Sequence, residues 1–152
     1  MLNFKPPIIF LEGADKCGKT TVRRILNRQL NNSTYIIERS PASMYAYGKT
    51  FGRLVDEKYV LAVEKSFKET FDIIPIFFEV PPNILLQRFN KLDDKYKDFI
   101  TLQKMHEVIK HFHEWLVYKS LWKWHVFTDY HLSPLEACRK IIRTILEGRK
   151  DG

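Results

Sequence analysis

Residues 13–20, Gly-Ala-Asp-Lys-Cys-Gly-Lys-Thr, match G-x-x-x-x-G-K-[ST] at every fixed position. The flanks agree. Ile8 to Leu11 is an unbroken apolar run, as a strand buried on both faces requires. Thr20 to Leu30 carries Val22, Ile25 and Leu26 at helical spacing. A strand, a glycine turn and a helix in this order form an anion cradle. The glycines let successive backbone N–H groups point inward, and the helix adds its positive N-terminal end. Gly13, Ala14, Asp15, Lys16, Cys17, Gly18, Lys19, Thr20 and Thr21 are the candidate nucleotide-binding residues. Lys19 is expected to reach β- and γ-phosphates and Thr20 to offer its hydroxyl to Mg²⁺. Cys17 reads as a small filler rather than a redox group.

The rest of the chain alternates in the same way. Tyr35 to Ile37 reads as a second strand ending at Glu38 and Arg39, and Ile73 to Val80 as a third, stopped by Pro81 and Pro82. Trp124 to Thr128 reads as a fourth. Helices are expected over Glu57 to Glu69, Asn83 to Phe89 and Ile100 to Tyr118, the last with Met105, Ile109, Phe112 and Leu116 on one face. Ser133, Pro134 and Glu136 set up a capping box for a final helix. Pro41, Gly48 and Gly52 mark Ser40 to Arg53 as a loop with short helical pieces. Strand–helix alternation predicts an α/β fold, a mostly parallel sheet with helices on both faces. With 152 residues, no linker and no repeat, residues 1–152 are expected to form a single domain.

Composition narrows the partners. A formal charge of +7, spread along the chain, favours a phosphate-bearing ligand; a nucleic acid is compatible but not favoured. Two cysteines make no disulfide framework. Pro6 and Pro7 before a short apolar run argue against a signal peptide, and no apolar stretch approaches the ~20 residues of a membrane span. The expectation is a soluble, cytoplasmic protein with no membrane partner. The five histidines do not show metal-ligand spacing, and the three tryptophans read as packing.

The opening Phe10-Leu11-Glu12-Gly13-Ala14-Asp15-Lys16-Cys17-Gly18-Lys19-Thr20-Thr21 resembles that of thymidylate kinases, P-loop kinases acting on nucleoside monophosphates. Glu38 to Gly48 resembles the D-R-S-P-x-S-x-x-x-Y-G segment of short phage-type members. Val80-Pro81-Pro82 through Arg88 is similar to the entry into the family's lid, and Trp124 to Ile142 to its last strand, loop and helix. So compact a version suggests a phage or viral source, the host cytoplasm then being its location. Family members usually place another strand–helix unit between the P-loop helix and the D-R segment. Here only Asn31 to Thr34 intervene, so either a strand is lost or Tyr35 to Arg39 matches the earlier strand. The lid is short, and Asp93 to Asp98 offers only Lys95 and Lys97 as cations.

The resemblance implies roles. Asp15 would meet the acceptor's sugar hydroxyl, and Lys16 would stand where some members carry a catalytic arginine. Arg88 would stack on adenine or touch ATP phosphates. Glu38 and Arg39 end a buried strand, the edge where doubly wound sheets hold ligands; Glu38 would bind Mg²⁺ through water or orient the acceptor, and Arg39 would clamp a phosphate. Lys19, Lys16, Asp15, Glu38 and Arg39 form the candidate catalytic set, with Thr20 and Glu38 on the metal. Arg53 is a weaker candidate, Glu79 a reserve carboxylate, and Tyr45, Tyr47 and Phe51 are candidates to sandwich a base, with ordinary packing the preferred reading for Tyr45. The expected activity is ATP–Mg²⁺-dependent phosphoryl transfer to a small (deoxy)nucleoside monophosphate, dTMP first. Deoxynucleoside kinase, 5′-polynucleotide kinase and a nucleotide-binding module without turnover are the alternatives. A homodimer is compatible with any of them.

Overall fold

The computed structural model describes residues 4–91 and 101–148. In chain order the elements are β1 (Pro7–Glu12), α1 (Lys19–Gln29), β2 (Tyr35–Glu38), α2 (Pro41–Thr50), α3 (Glu57–Thr70), β3 (Asp72–Phe78), α4 (Pro82–Asn90), α5 (Leu102–Glu114), β4 (His125–Phe127) and α6 (Pro134–Ile141). Single π-helical turns extend α5 over Trp115–Lys119 and α6 over Ile142–Leu146. The strands form one sheet in the order β2-β1-β3-β4, with every pairing parallel. The chain passes from β1 to β2 on one side, then crosses to β3 on the other. The C-terminal end of β1 is therefore the topological switch point, where open parallel sheets hold ligands.

Alternation along β1 divides the core. Ile8 and Phe10 pack with Trp122 and with Phe67 of α3, whose ring meets Phe10 edge-on at 5.3 Å. Ile9 and Leu11, both with no exposure, join the larger cluster with Val22 and Leu26 of α1 and Cys138 and Ile141 of α6. Phe77 of β3 meets Phe112 of α5 at 5.2 Å. Each such fully buried side chain contributes about 1.5–3 kcal/mol. β2 lies directly beside β1, and no strand among the described residues flanks its outer side.

One expectation is corrected. Ser40 to Arg53 is not a loop: Pro41–Thr50 is a full α-helix. Pro41 takes the first helical position, where its missing N–H is harmless. Ser40 caps it by accepting from the Ala42 amide. Gly48 lies inside the helix because a Cβ there would stand 2.4 Å from Val55. The residues read as breakers thus serve the start of the helix and a close approach. The long helix turns Met105, Ile109, Phe112 and Leu116 to the core, the first and third buried and the other two half-buried, with Val108 and Trp115 buried beside them.

Candidate active site

The cradle forms where β1 stops. Gly13 has φ +146°, and a Cβ there would lie 2.9 Å from the Phe78 carbonyl oxygen of β3. Only glycine lets the chain turn so close beneath β3. The loop then reaches Gly18, also left-handed, which begins α1 with no side-chain cap and no acidic residue in the first turn. The first amides of α1 are left for a ligand. Lys19 folds back over the loop: its Nζ donates to the carbonyls of Gly13 (2.9 Å) and Ala14 (3.2 Å) and lies 3.4 Å from Cys17 Sγ. It lines the cleft but is only 6% exposed, more enclosed than a lysine projecting into a solvent-filled nest. Burial pushes the Cys17 thiol above its ordinary range.

β2 delivers two side chains to the same edge. The Thr20 hydroxyl donates to Glu38 Oε1 at 2.6 Å, and Arg23 Nε lies 3.0 Å from Glu38 Oε2 as an ion pair rather than an aligned hydrogen bond. Arg39 follows with φ +78°, a left-handed backbone that turns its side chain back across the cradle. One guanidinium nitrogen donates to the Gly13 carbonyl at 3.0 Å, and the other pairs with Asp15. The Tyr47 hydroxyl accepts from Arg39 (3.4 Å) and from the Asp15 amide (3.2 Å). Burial works against the Arg39 charge, but Tyr47, Glu12 and Asp15 outweigh it and raise its pKa further. Tyr47 is pushed up to about 12, first by burial and then by Asp15.

A cleft of about 800 Å³ opens over these groups. Asp15 to Thr21 form its floor; Glu38 and Arg39 line it, as do Tyr47 and Phe51 of α2. The Tyr47 and Phe51 rings are parallel to within 7°, with centroids 6.3 Å apart. Arg88 of α4 also lines it, donating to the carbonyls of Lys16 (2.8 Å) and Tyr130 (3.3 Å). Arg88 thereby ties the cradle to the loop after β4 and borders a second hollow of about 260 Å³, with Phe127, Asp129, Tyr130 and Leu132 on its far side. The Lys16 ammonium lies 5.7 Å from the Phe89 ring centroid.

Asp15, Lys16, Cys17, Gly18, Lys19, Thr20, Thr21, Glu38, Arg39 and Arg88 thus meet in one cleft. Gly13 and Ala14 lie behind it, supplying carbonyls to Lys19. The remaining candidates are elsewhere. Arg53 is exposed and does not line the cleft. The Glu79 carboxylate is turned to His113 Nε2 at 2.7 Å. Tyr45 is core: its ring packs on Trp115 at 5.0 Å and its hydroxyl donates to Glu114. Lys95 and Lys97 lie outside the described residues. Glu12 was not among the sequence candidates. A charged residue closing a strand buried on both faces was the available signal.

Mg²⁺ characteristically takes one or two carboxylates and completes its shell with substrate phosphates and water. The paired oxygens of Thr20 and Glu38 at the cradle's mouth fit that donor set.

No protein-family model and no curated protein matches the sequence. Solved structures do match it. The YorR protein of Bacillus subtilis, solved in complex with phosphorylated GDP, superposes with a TM-score of 0.71 at 17% identity, covering 94% of this chain and 98% of that one. Deoxyadenosine kinase of M. mycoides, solved with the products dCMP and dCDP, gives 0.62 at 14% identity, covering 92% and 98%. The same kinase with bound dATP gives 0.61 at 14%, covering 91% and 99%. The shared fold is α/β, a parallel sheet of the P-loop kinase type flanked by helices. At these identities the likeness speaks to the fold alone. Among the described residues no helix is long and apolar enough to cross a membrane.

Proposed function

We propose that the protein, acting as one domain, transfers the γ-phosphoryl group of ATP to a nucleoside monophosphate, with dTMP the first acceptor. The observation that carries this reading is the position of Arg39. Its guanidinium stands between the phosphate cradle and the Tyr47–Phe51 ring pair, where an acceptor's phosphate and base would lie. Lys19 would exchange its loop carbonyls for the β- and γ-phosphates. Thr20 and Glu38 would hold Mg²⁺, which supplies charge neutralisation on the phosphates when bound. Arg39 would release part of its hold on Asp15 to clamp the acceptor phosphate, freeing Asp15 for the sugar. Lys16 and Arg88 flank the cradle's other side, Arg88 beside the hollow that suits the donor base. Catalysis would be positioning and electrostatic stabilisation, with no covalent intermediate.

One observation favours a second reading, a nucleoside as acceptor. Glu38 lines the cleft, held by Thr20 and Arg23 and not by Arg39, and in this reading its carboxylate would take the acceptor's hydroxyl proton. Product formation from ATP with dTMP, the other deoxynucleoside monophosphates, thymidine, deoxyadenosine and a 5′-hydroxyl oligonucleotide separates these readings. Diphosphate product from a monophosphate is expected. Product from nucleosides alone moves the assignment to the second reading, and ATP binding without transfer to any acceptor removes both.

A further inference from the structure

Glu12 is a carboxylate with no solvent exposure at the end of β1. Four donors converge on it. Oε1 accepts from the Gly13 amide (3.2 Å) and the Ser43 hydroxyl (2.8 Å). Oε2 accepts from the Ser40 amide (2.8 Å) and the Ser40 hydroxyl (2.7 Å). Arg39 lies 3.6 Å from Oε1. A buried charge is tolerated only when paired and hydrogen-bonded, and this one is both.

The donors come from two segments that are far apart in sequence. Gly13 opens the cradle. Ser40 and Ser43 belong to the turn and first helical turn immediately after Arg39. We infer that Glu12 is a positioning residue for phosphoryl transfer, its carboxylate fixing Arg39 against the cradle by holding the segments on either side of the guanidinium. The left-handed backbone of Arg39 is a strained conformation for a non-glycine residue, and such strain persists where the surroundings over-determine it. Arg39 is held by its amide, which donates to Leu11 at 3.0 Å, and by the next amide, Ser40, which donates to Glu12. Ser43 serves both partners, donating to Glu12 and lying 3.4 Å from Arg39. Glu12 itself is sealed from the cleft, so it acts through Arg39 and not on the substrate.

The inference rests on the proposed role of Arg39, and a double-mutant cycle of Glu12→Gln with Arg39→Ala tests it. The introduced carboxamide matches the carboxylate in size but offers one oxygen to four donors. The cycle is read on kcat and, by calorimetry with a non-hydrolysable ATP analogue, on dTMP affinity. With Arg39 in place, Glu12→Gln is expected to lower kcat about 10²-fold, as for a misplaced positioning group, and to weaken dTMP about tenfold. ATP affinity should stay within about threefold, because Lys19 and Thr20 are untouched. In the Arg39→Ala background the same change should cost less than about twofold, since coupled residues are not additive. Equal losses in both backgrounds, or no loss in either, overturn the inference. Ser43→Ala keeps the carboxylate and removes one donor, so it covers failure of the Glu12→Gln variant to fold; it should show a smaller loss with the same dependence on Arg39, and additivity overturns the inference there too. A wild-type protein that transfers nothing but keeps the coupling in dTMP binding overturns the proposed reaction and leaves the positioning role standing. A protein that binds no dTMP overturns both.

Discussion

The Thr20 hydroxyl donates to the Glu38 carboxylate across 2.6 Å, joining the first turn of α1 to the end of β2. The contact brings the two candidate metal-side oxygens together before any ligand arrives. Glu38→Gln keeps the volume and removes the charge. Loss of a carboxylate at such a site is expected to raise the Mg²⁺ concentration for half-maximal turnover about 10–100-fold. Binding of ATP without Mg²⁺ should be unchanged. A Mg²⁺ titration of both proteins, with calorimetry in chelator, gives the comparison, and an unchanged Mg²⁺ midpoint excludes Glu38 from the metal.

Lys16 has a left-handed backbone, and its carbonyl accepts from Arg88, which fixes its place in the cradle. Lys16→Ala is expected to lower single-turnover transfer about 10²-fold with ATP affinity nearly intact, as for a contact made mainly in the transition state. Lys95→Ala and Lys97→Ala should each cost less. A larger loss from either would overturn the role proposed for Lys16.

Glu64 concerns stability rather than chemistry. Its carboxylate, without solvent exposure, accepts from Trp115 Nε1 (2.8 Å), the Ser120 hydroxyl (2.7 Å) and the Leu121 amide (2.8 Å), anchoring α3 to the end of α5. Burial raises its pKa despite these donors. A carboxyl with a raised folded-state pKa favours the fold when protonated. That contribution is complete below the ordinary carboxylate pKa and falls away as pH rises through the raised value. Urea unfolding of the wild type and Glu64→Gln across pH 4–8 (roughly the carboxylate range and above) should show the wild type losing ground to the variant as pH rises. A gap independent of pH contradicts this.

Both thiols should be inert in the native protein. Burial pushes Cys17 above its ordinary range and Cys138 up to about 11, so little thiolate forms near neutrality. An aromatic disulfide reagent at pH 8 is expected to report no thiol until denaturant is added. Rapid native reaction at Cys17 would show that the cradle opens far more than its packing implies.

The sheet, the cradle and the placing of Glu38 beside Thr20 were legible because each rests on local pattern: an apolar run, fixed glycines, a strand ending in charge. α2 was hidden because Pro41 and Gly48 carry the same local signal in a loop as at a helix start and a close contact; only Val55, outside the segment, distinguishes them. Glu12 was missed because its four donors come from two segments brought together only by the β1–β2 pairing. Likewise nothing in the sequence turns Glu79 toward His113, or Lys19 onto the carbonyls of Gly13 and Ala14.

The proposed role of the cradle around Lys19 is transfer of a phosphoryl group. Its most direct measurement is movement of label from γ-labelled ATP into dTMP by the wild type and by Lys19→Ala, with the fold of each checked by its far-UV spectrum and melting. The wild type is expected to form labelled dTDP. The variant is expected to keep its fold and form none above background. Transfer retained by a folded Lys19→Ala protein would contradict that role.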